Sequence, residues 1–182
     1  MTTYIVTNGT TVLGNDSVQG TAGTSDSVTL LGSGGTLSVS AIDSVIGTGG
    51  ISDAVALLGT GAGEVSVSAI ESVLGRSGET DTVTLLDGSG TVRVSLVDEV
   101  IGTTATTDVI GMLSGGALSV SAVESVAGSA TTDTVTLLDN GGVTVSGVES
   151  VIGASGGTDT LTLVGGATVR VSALEEIVGS GS

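Results

Sequence analysis

A chain of 182 residues with a net charge of −16, from 19 acidic and 3 basic side chains, is a poor partner for nucleic acid or an anionic membrane surface. It has no Cys, His, Trp, Phe or Pro and a single Tyr, which excludes disulfides, thiolate or imidazole metal sites and aromatic stacking platforms. No apolar run approaches membrane-spanning length, and the opening MTTYIVTNG lacks the basic and apolar regions of a secretory signal peptide.

From the start, Thr3-Tyr4-Ile5-Val6 reads as a strand, and the chain then repeats one pattern. Each copy runs acid, short β-run, Gly-rich turn, short β-run, second acid, short β-run, Gly-rich turn. The first acid falls at Asp26, Asp53, Asp81, Asp108, Asp133 and Asp159, and the second at Asp16, Asp43, Glu71, Asp98, Glu124, Glu149 and Glu175. Cutting before each first acid gives copies 1–25, 26–52, 53–80, 81–107, 108–132, 133–158 and 159–182. Self-similarity at a fixed period of about 26 residues is the mark of a solenoid. The chain therefore reads as one domain, 1–182.

The copy beginning at Asp81 shows the local logic. Thr82-Val83-Thr84-Leu85 alternates, so Val83 and Leu85 share a face. The same period of two recurs in Thr91-Val92-Arg93-Val94-Ser95, and a third run spans Val97 to Ile101 before Gly102. Glycine interrupts too often, and β-branched residues are too common, for a helix. The expected fold is all-β: a parallel β-helix, right-handed, of about seven coils of ~26 residues with three short strands each. Stacked coils then align inward ladders Val28, Val55, Val83, Val109, Val135, Leu161; Val39, Val67, Val94, Val120, Val145, Val171; and Ile42, Ile70, Val97, Val123, Val148, Leu174. At about 4.8 Å per coil the rod would be roughly 34 Å long.

The acids are the candidate chemistry. As ladders they would stand about 5 Å apart and repel by ~1 kcal/mol per neighbour in water, so something must offset them. Two offsets are open. Each acid can cap its corner by accepting turn amides two residues on. Alternatively Asp26, Asp53, Asp81, Asp108, Asp133 and Asp159 can hold Ca²⁺ with glycine carbonyls; no cofactor is otherwise required. Hydroxyl rows, Thr-x-Thr at 82–84, 134–136 and 160–162 and Ser/Thr-x-Ser at 38–40, 66–68, 119–121 and 144–146, suggest an ice-binding face. Ala54-Val55-Ala56, Val109-Ile110-Gly111, Arg93 and Arg170 interrupt them. With no His or Cys, and with only Arg76, Arg93 and Arg170 as bases, an enzyme is not expected.

The stretches VESVIGASGGTDTLTLVGG (148–166) and IESVLGRSGETDTVTLLDG (70–88) resemble the repeats-in-toxin, haemolysin-type secreted bacterial β-solenoid repeats. In that family a Gly-Gly-x-Gly-x-Asp-x-aliphatic-x nonapeptide winds a β-roll and binds Ca²⁺ between turns. Asp159-Thr160-Leu161 and Asp81-Thr82-Val83 match its Asp-x-aliphatic end. The full nonapeptide is not present, and the match recurs once per ~26 residues instead of once per nine. The resemblance implies a secreted bacterial solenoid, extracellular or at the cell surface, exported without a cleaved N-terminal signal.

Both ends read as uncapped: Tyr4, Ile5 and Val6 at one, Leu174, Ile177 and Val178 at the other. Asn8-Gly9 matches Asn140-Gly141, which sets Met1 and Ser182 in phase for continuation by another copy. The expected partner is the chain itself, head to tail, in an extracellular or cell-surface filament. A secreted calcium-binding module and an ice-binding protein are the alternatives.

Overall fold

The computed structural model describes residues 3–6, 10–21, 25–32, 34–49, 52–86, 89–165 and 168–179, and for Thr3 and Ser89 the backbone only. The Asn8-Gly9 match, Met1 and Ser182 lie outside the described residues.

All regular structure among the described residues is strand. In chain order the first repeats give β1 (Thr3–Ile5), β2 (Thr10–Leu13), β3 (Ser17–Gln19), β4 (Ser27–Leu31), β5 (Gly35–Ser40), β6 (Ser44–Ile46) and β7 (Asp53–Leu57). Then come β8 (Gly63–Ser68), β9 (Ser72–Leu74), β10 (Asp81–Leu85), β11 (Ser89–Ser95), β12 (Glu99–Ile101), β13 (Thr107–Met112) and β14 (Gly116–Ser121). The last are β15 (Ser125–Ala127), β16 (Asp133–Leu137), β17 (Gly142–Ser146), β18 (Ser150–Ile152), β19 (Thr160–Leu163), β20 (Arg170–Ser172) and β21 (Glu176–Gly179).

The expected parallel β-solenoid is present, but its turn does not hold three strands. Every strand pairs in parallel with the strand two places on, so the odd strands form an eleven-stranded sheet and the even strands a ten-stranded one. Each turn is out along one sheet and back along the other: two strands, not three. The three-strand repeat therefore makes one and a half turns. About nine turns separate the first and last strands of the ten-stranded sheet, more than the seven expected. At about 4.8 Å per strand that stack is roughly 43 Å long.

This half-turn remainder re-sorts every expected ladder. Equivalent strands of successive repeats, such as β4, β7 and β10, alternate between sheets and recur in the same sheet only every third strand. The inward columns mix repeat positions instead: Val65, Val83, Val100, Val120 and Leu137 stack consecutively in the ten-stranded sheet. All five are at most 6% exposed, so the core is a thin double layer of branched aliphatics. No aromatic is needed to fill so narrow a gap.

Three ladder members differ from expectation. Val109 is half-buried and points outward, and Ile110 takes the inward position at 0% exposure. The inward side chain follows the repeat's acid by two residues, which makes Ile110 the counterpart of Val83 and Val135. Val171 is exposed and Leu174 half-buried because they lie in the outermost described rung.

Candidate functional site

From the second repeat on, each turns its corner with a short motif: a hydroxyl residue, a residue with left-handed backbone, an aliphatic and the second acid. Ala41, Ala69, Leu96, Ala122 and Ala173 hold φ between 51° and 57° at this corner, and Gly147 holds 63°. A side chain in this region costs roughly 1–2 kcal/mol, and the repetition shows that the neighbouring bonds hold it there. The corner aliphatics Ile42, Ile70, Val97, Val123 and Val148 are at most 6% exposed and peg each turn to the core.

The first acids are buried. Asp26, Asp53, Asp81, Asp108, Asp133 and Asp159 are each at most 3% exposed. Their Oδ2 atoms accept the backbone amides of Thr21, Thr48, Arg76, Thr103, Ser129 and Ala154 at 2.5–2.7 Å. Each donor directly follows a glycine at the end of the preceding short strand. The expected corner cap is thus real in kind, but it reaches four or five residues backwards instead of two forwards.

The glycine permits the approach. A Cβ on Gly75 would lie 2.0 Å from the Leu96 carbonyl oxygen and 2.8 Å from Asp81 Oδ2. The left-handed corner of the next rung therefore closes down onto the glycine, and the buried carboxylate is sealed between them.

The second acids, half-buried or exposed, stack on the first. The Asp26 amide donates to Asp43 Oδ2 at 2.7 Å, Asp53 to Glu71 Oε2 at 2.7 Å, and Asp81 to Asp98 Oδ2 at 2.9 Å. Asp108, Asp133 and Asp159 donate in the same way to Glu124, Glu149 and Glu175 at 2.7–2.8 Å. In return the amide of every second acid donates to the carbonyl of its first acid at 3.0–3.2 Å. The acids accordingly form isolated vertical pairs, not the continuous ladders expected. Within one sheet, pairs built on Asp26, Asp81 and Asp133 recur every third strand; those on Asp53, Asp108 and Asp159 lie in the other sheet. At that interval, about 14 Å, repulsion between buried carboxylates of one sheet is well beyond the ~8–10 Å screening length.

These carboxylates suit a hard divalent cation poorly. Ca²⁺ takes six to eight oxygens, whereas no three acidic side chains converge among the described residues. Each buried carboxylate is already engaged by a main-chain amide. At Asp81 a cation from the chain itself fills the space: the Arg76 guanidinium pairs with Asp81 Oδ1 above Gly63. The hydrogen bond to Asp81 pushes the Arg76 pKa above its ordinary value. Sequence reasoning missed both the Arg76 pair and the acid-on-acid bonds, whose members stand 16–18 residues apart with no local signal.

The hydroxyl rows are also re-sorted. Thr82, Thr84, Thr134 and Thr136 lie on the ten-stranded sheet and Thr160 and Thr162 on the other. In register, the column through Thr84 runs Ser27, Ser44, Ser66, Thr84, Ile101 and Ser121, so four hydroxyls stack before Ile101 interrupts them. Comparison with protein-family models gives no match, and comparisons with curated proteins and with solved structures give none either. A functional reading therefore stands on this geometry alone. No helix of the described residues is long and apolar enough to cross a membrane.

The expected assembly residues fall at the outermost rungs. Val171 pairs above Val151, and Ile177 above Leu161, in the sheet register. Val151 and Leu161 are 0% exposed, whereas Val171 is 39% and Ile177 49% exposed. Val178 is 43% exposed, and at the opposite end Tyr4 and Ile5 are 41% and 77% exposed. Val6, at 1%, belongs to the core instead of the end surface.

Proposed function

We propose that the protein is a structural subunit, a β-solenoid rod that lengthens by adding copies of itself end on, in an extracellular or cell-surface filament. The observation that carries this reading is the outermost rung of β20 and β21. Among the described residues it presents one strand edge per sheet with no further strand paired to it, and Val171 and Ile177 are open where the rung beneath is buried. Another rung of the same width would satisfy those edges and cover those side chains with the interactions that join every turn within the chain. An end-on contact of this kind is heterologous and does not close, so its product is a filament. The extracellular setting follows the resemblance to secreted repeats-in-toxin solenoids.

Sedimentation velocity with negative-stain imaging at rising concentration tests it. The expected result is a concentration-dependent series of rods, shortened by Ile177→Lys and Val171→Lys, which charge the open rung. A single 17.2 kDa species at every concentration would overturn the proposal.

A further inference from the structure

The two broad faces of the rod differ in kind from its corners. Apart from the buried aspartates, the described strands carry five charged residues: Glu64, Arg93, Glu99, Arg170 and Glu176. The remaining outward positions are Ser, Thr and Ala with rows of exposed aliphatics. On the ten-stranded sheet the aliphatics are Leu13, Leu31, Ile46, Leu86, Leu138 and Ile152, between 38% and 62% exposed. On the eleven-stranded sheet Leu58, Leu74, Leu113, Val164 and Val178 are between 43% and 55% exposed. Most of the net charge of −16 sits at the edges, so flat contact between faces meets little of it.

Four of the five face charges form a pattern. Arg93 on β11 and Glu99 on β12 flank one corner, so they lie at the same height on opposite faces. Arg170 on β20 and Glu176 on β21 flank another corner in the same way, with the faces exchanged. The eleven-stranded face therefore carries Arg93 and Glu176, and the ten-stranded face carries Glu99 and Arg170. Neither arginine makes an ion pair among the described residues.

We infer that copies pack side by side, the eleven-stranded face of one against the ten-stranded face of the next, in parallel and without axial shift. Simple translation by one molecular thickness sets Arg93 over Glu99 of the neighbouring copy and Glu176 over its Arg170. Each Arg stands about two residues from the corner and each Glu just after it, a lateral offset of about 7 Å that an Arg side chain can bridge.

The relief matches as well. Leu58 and Leu113 follow the ends of β7 and β13, and Leu31, Leu86 and Leu138 lie at the ends of the corresponding strands on the other face. Because the two faces run in opposite directions, these rows lie along opposite margins. Translation lays the Leu58 and Leu113 row on the half of the neighbour's ten-stranded face lined by Ser27, Ser44, Thr82 and Thr134, and the Leu31, Leu86 and Leu138 row on the opposite half of the eleven-stranded face. Eleven strands of about five residues give a face of about 50 by 16 Å, on the order of 800 Å², the area each partner buries in a standard protein interface. This surface is distinct from the open rung: it sets the width of an assembly, and the rung sets its length.

Charge exchange tests it. The paired variants are R93E with R170E, and E99R with E176R; all four positions are outward, and circular dichroism checks that each variant folds. Wild-type assemblies imaged by negative stain should be several molecules wide. Each variant alone should fall to single-molecule width, because like charges then face each other across the contact. An equimolar mixture should recover width, since the acidic face of one meets the basic face of the other. E99R with E176R also reduces the net charge from −16 to about −12, so an effect of overall charge alone would widen that variant's assemblies. Wild-type rods of single width, variants as wide as wild type, or a mixture that stays narrow would each overturn lateral packing, whatever happens to rod length.

Discussion

Asp108 and Glu124 hold each other twice: the Asp108 amide donates to Glu124 Oε2 at 2.7 Å, and the Glu124 amide donates to the Asp108 carbonyl at 3.2 Å. One bond belongs to the ladder that any parallel sheet would make there. The other is specific to an acid at position 124, and it places a negative charge on a main-chain amide at the mouth of a buried carboxylate. Two acids stacked on successive turns are tolerated because each is engaged by an N–H donor.

Truncating the upper acid should therefore destabilise more than an ordinary half-buried substitution. Glu124→Ala leaves the Asp108 amide without its acceptor, a loss of about 1–3 kcal/mol. Glu124→Gln keeps an acceptor oxygen and should lose less than half of that. Urea midpoints of the two variants check the order, and equal stability of Ala and wild type would refute the role given to the bond.

The lower acid carries the larger burden. Asp108 is 1% exposed, and its Oδ2 accepts the Thr103 amide at 2.5 Å and the Thr103 hydroxyl at 3.1 Å. Asp108→Ala should lose about 2–3 kcal/mol, the cost of orphaning donors of a charge-assisted pair. Because Oδ2 is already engaged by both Thr103 donors and no two further acids converge on it among the described residues, the melting temperature should be the same in EDTA as in millimolar-range Ca²⁺. A clear Ca²⁺-dependent rise would show that the carboxylates ligate metal.

The glycine beneath each closed corner admits no side chain. A Cβ on Gly102 would stand 2.0 Å from the Ala122 carbonyl oxygen and 2.6 Å from Asp108 Oδ2, so Gly102→Ala should cost about 3 kcal/mol. Gly49→Ala is the control, since nothing lies within 4 Å of its Cβ. Thermal melts of the pair should separate by several degrees.

Leu96 offers a gain in the opposite direction. It holds φ at 57° with its side chain 47% exposed, while the equivalent corner in a later repeat is Gly147. Leu96→Gly relieves about 1–2 kcal/mol of backbone strain and returns about 0.5–1 in unfolded-chain entropy. A net rise in melting temperature of a degree or more is expected, and a fall would show that Leu96 packs productively.

Arg76→Met should destabilise by about 1–3 kcal/mol, because it removes the charge-assisted partner of Asp81, 0% exposed, while leaving the main-chain amide that also holds the five buried aspartates without an arginine. The Arg76 pKa is raised, so the pair's stabilisation is complete below the ordinary arginine value and declines only as pH rises through the still higher folded one. The gap between variant and wild type should consequently stay constant from mildly acidic to mildly alkaline pH.

The strands and corners were legible in the sequence because alternation and glycine spacing are local properties. Val83 and Leu85 share a face whichever way the chain closes. The number of strands per turn was not legible, because it depends on which strand pairs with which, and a three-strand repeat has the same local pattern in a triangular turn or a two-sided one. Val109 and Ile110 are both aliphatic, so alternation alone does not say which points inward; only the count from Asp108 separates them. For the acids, the suitability of Asp for a corner pointed to capping, whereas the bond from the Asp53 amide to Glu71 spans 18 residues and depends on the register of stacked turns.

A repeat worth one and a half turns gives the rod the symmetry of a twofold screw axis: each repeat is carried onto the next by a half rotation about the long axis with a climb of one and a half strand spacings. Adding or deleting a single repeat would exchange the faces of everything downstream, and adding or deleting two would restore them. Parity, as well as length, is thus a variable of this architecture. The placement of Arg93 and Glu99 in one repeat and Arg170 and Glu176 three repeats later, an odd number, is what gives each face one charge of each sign.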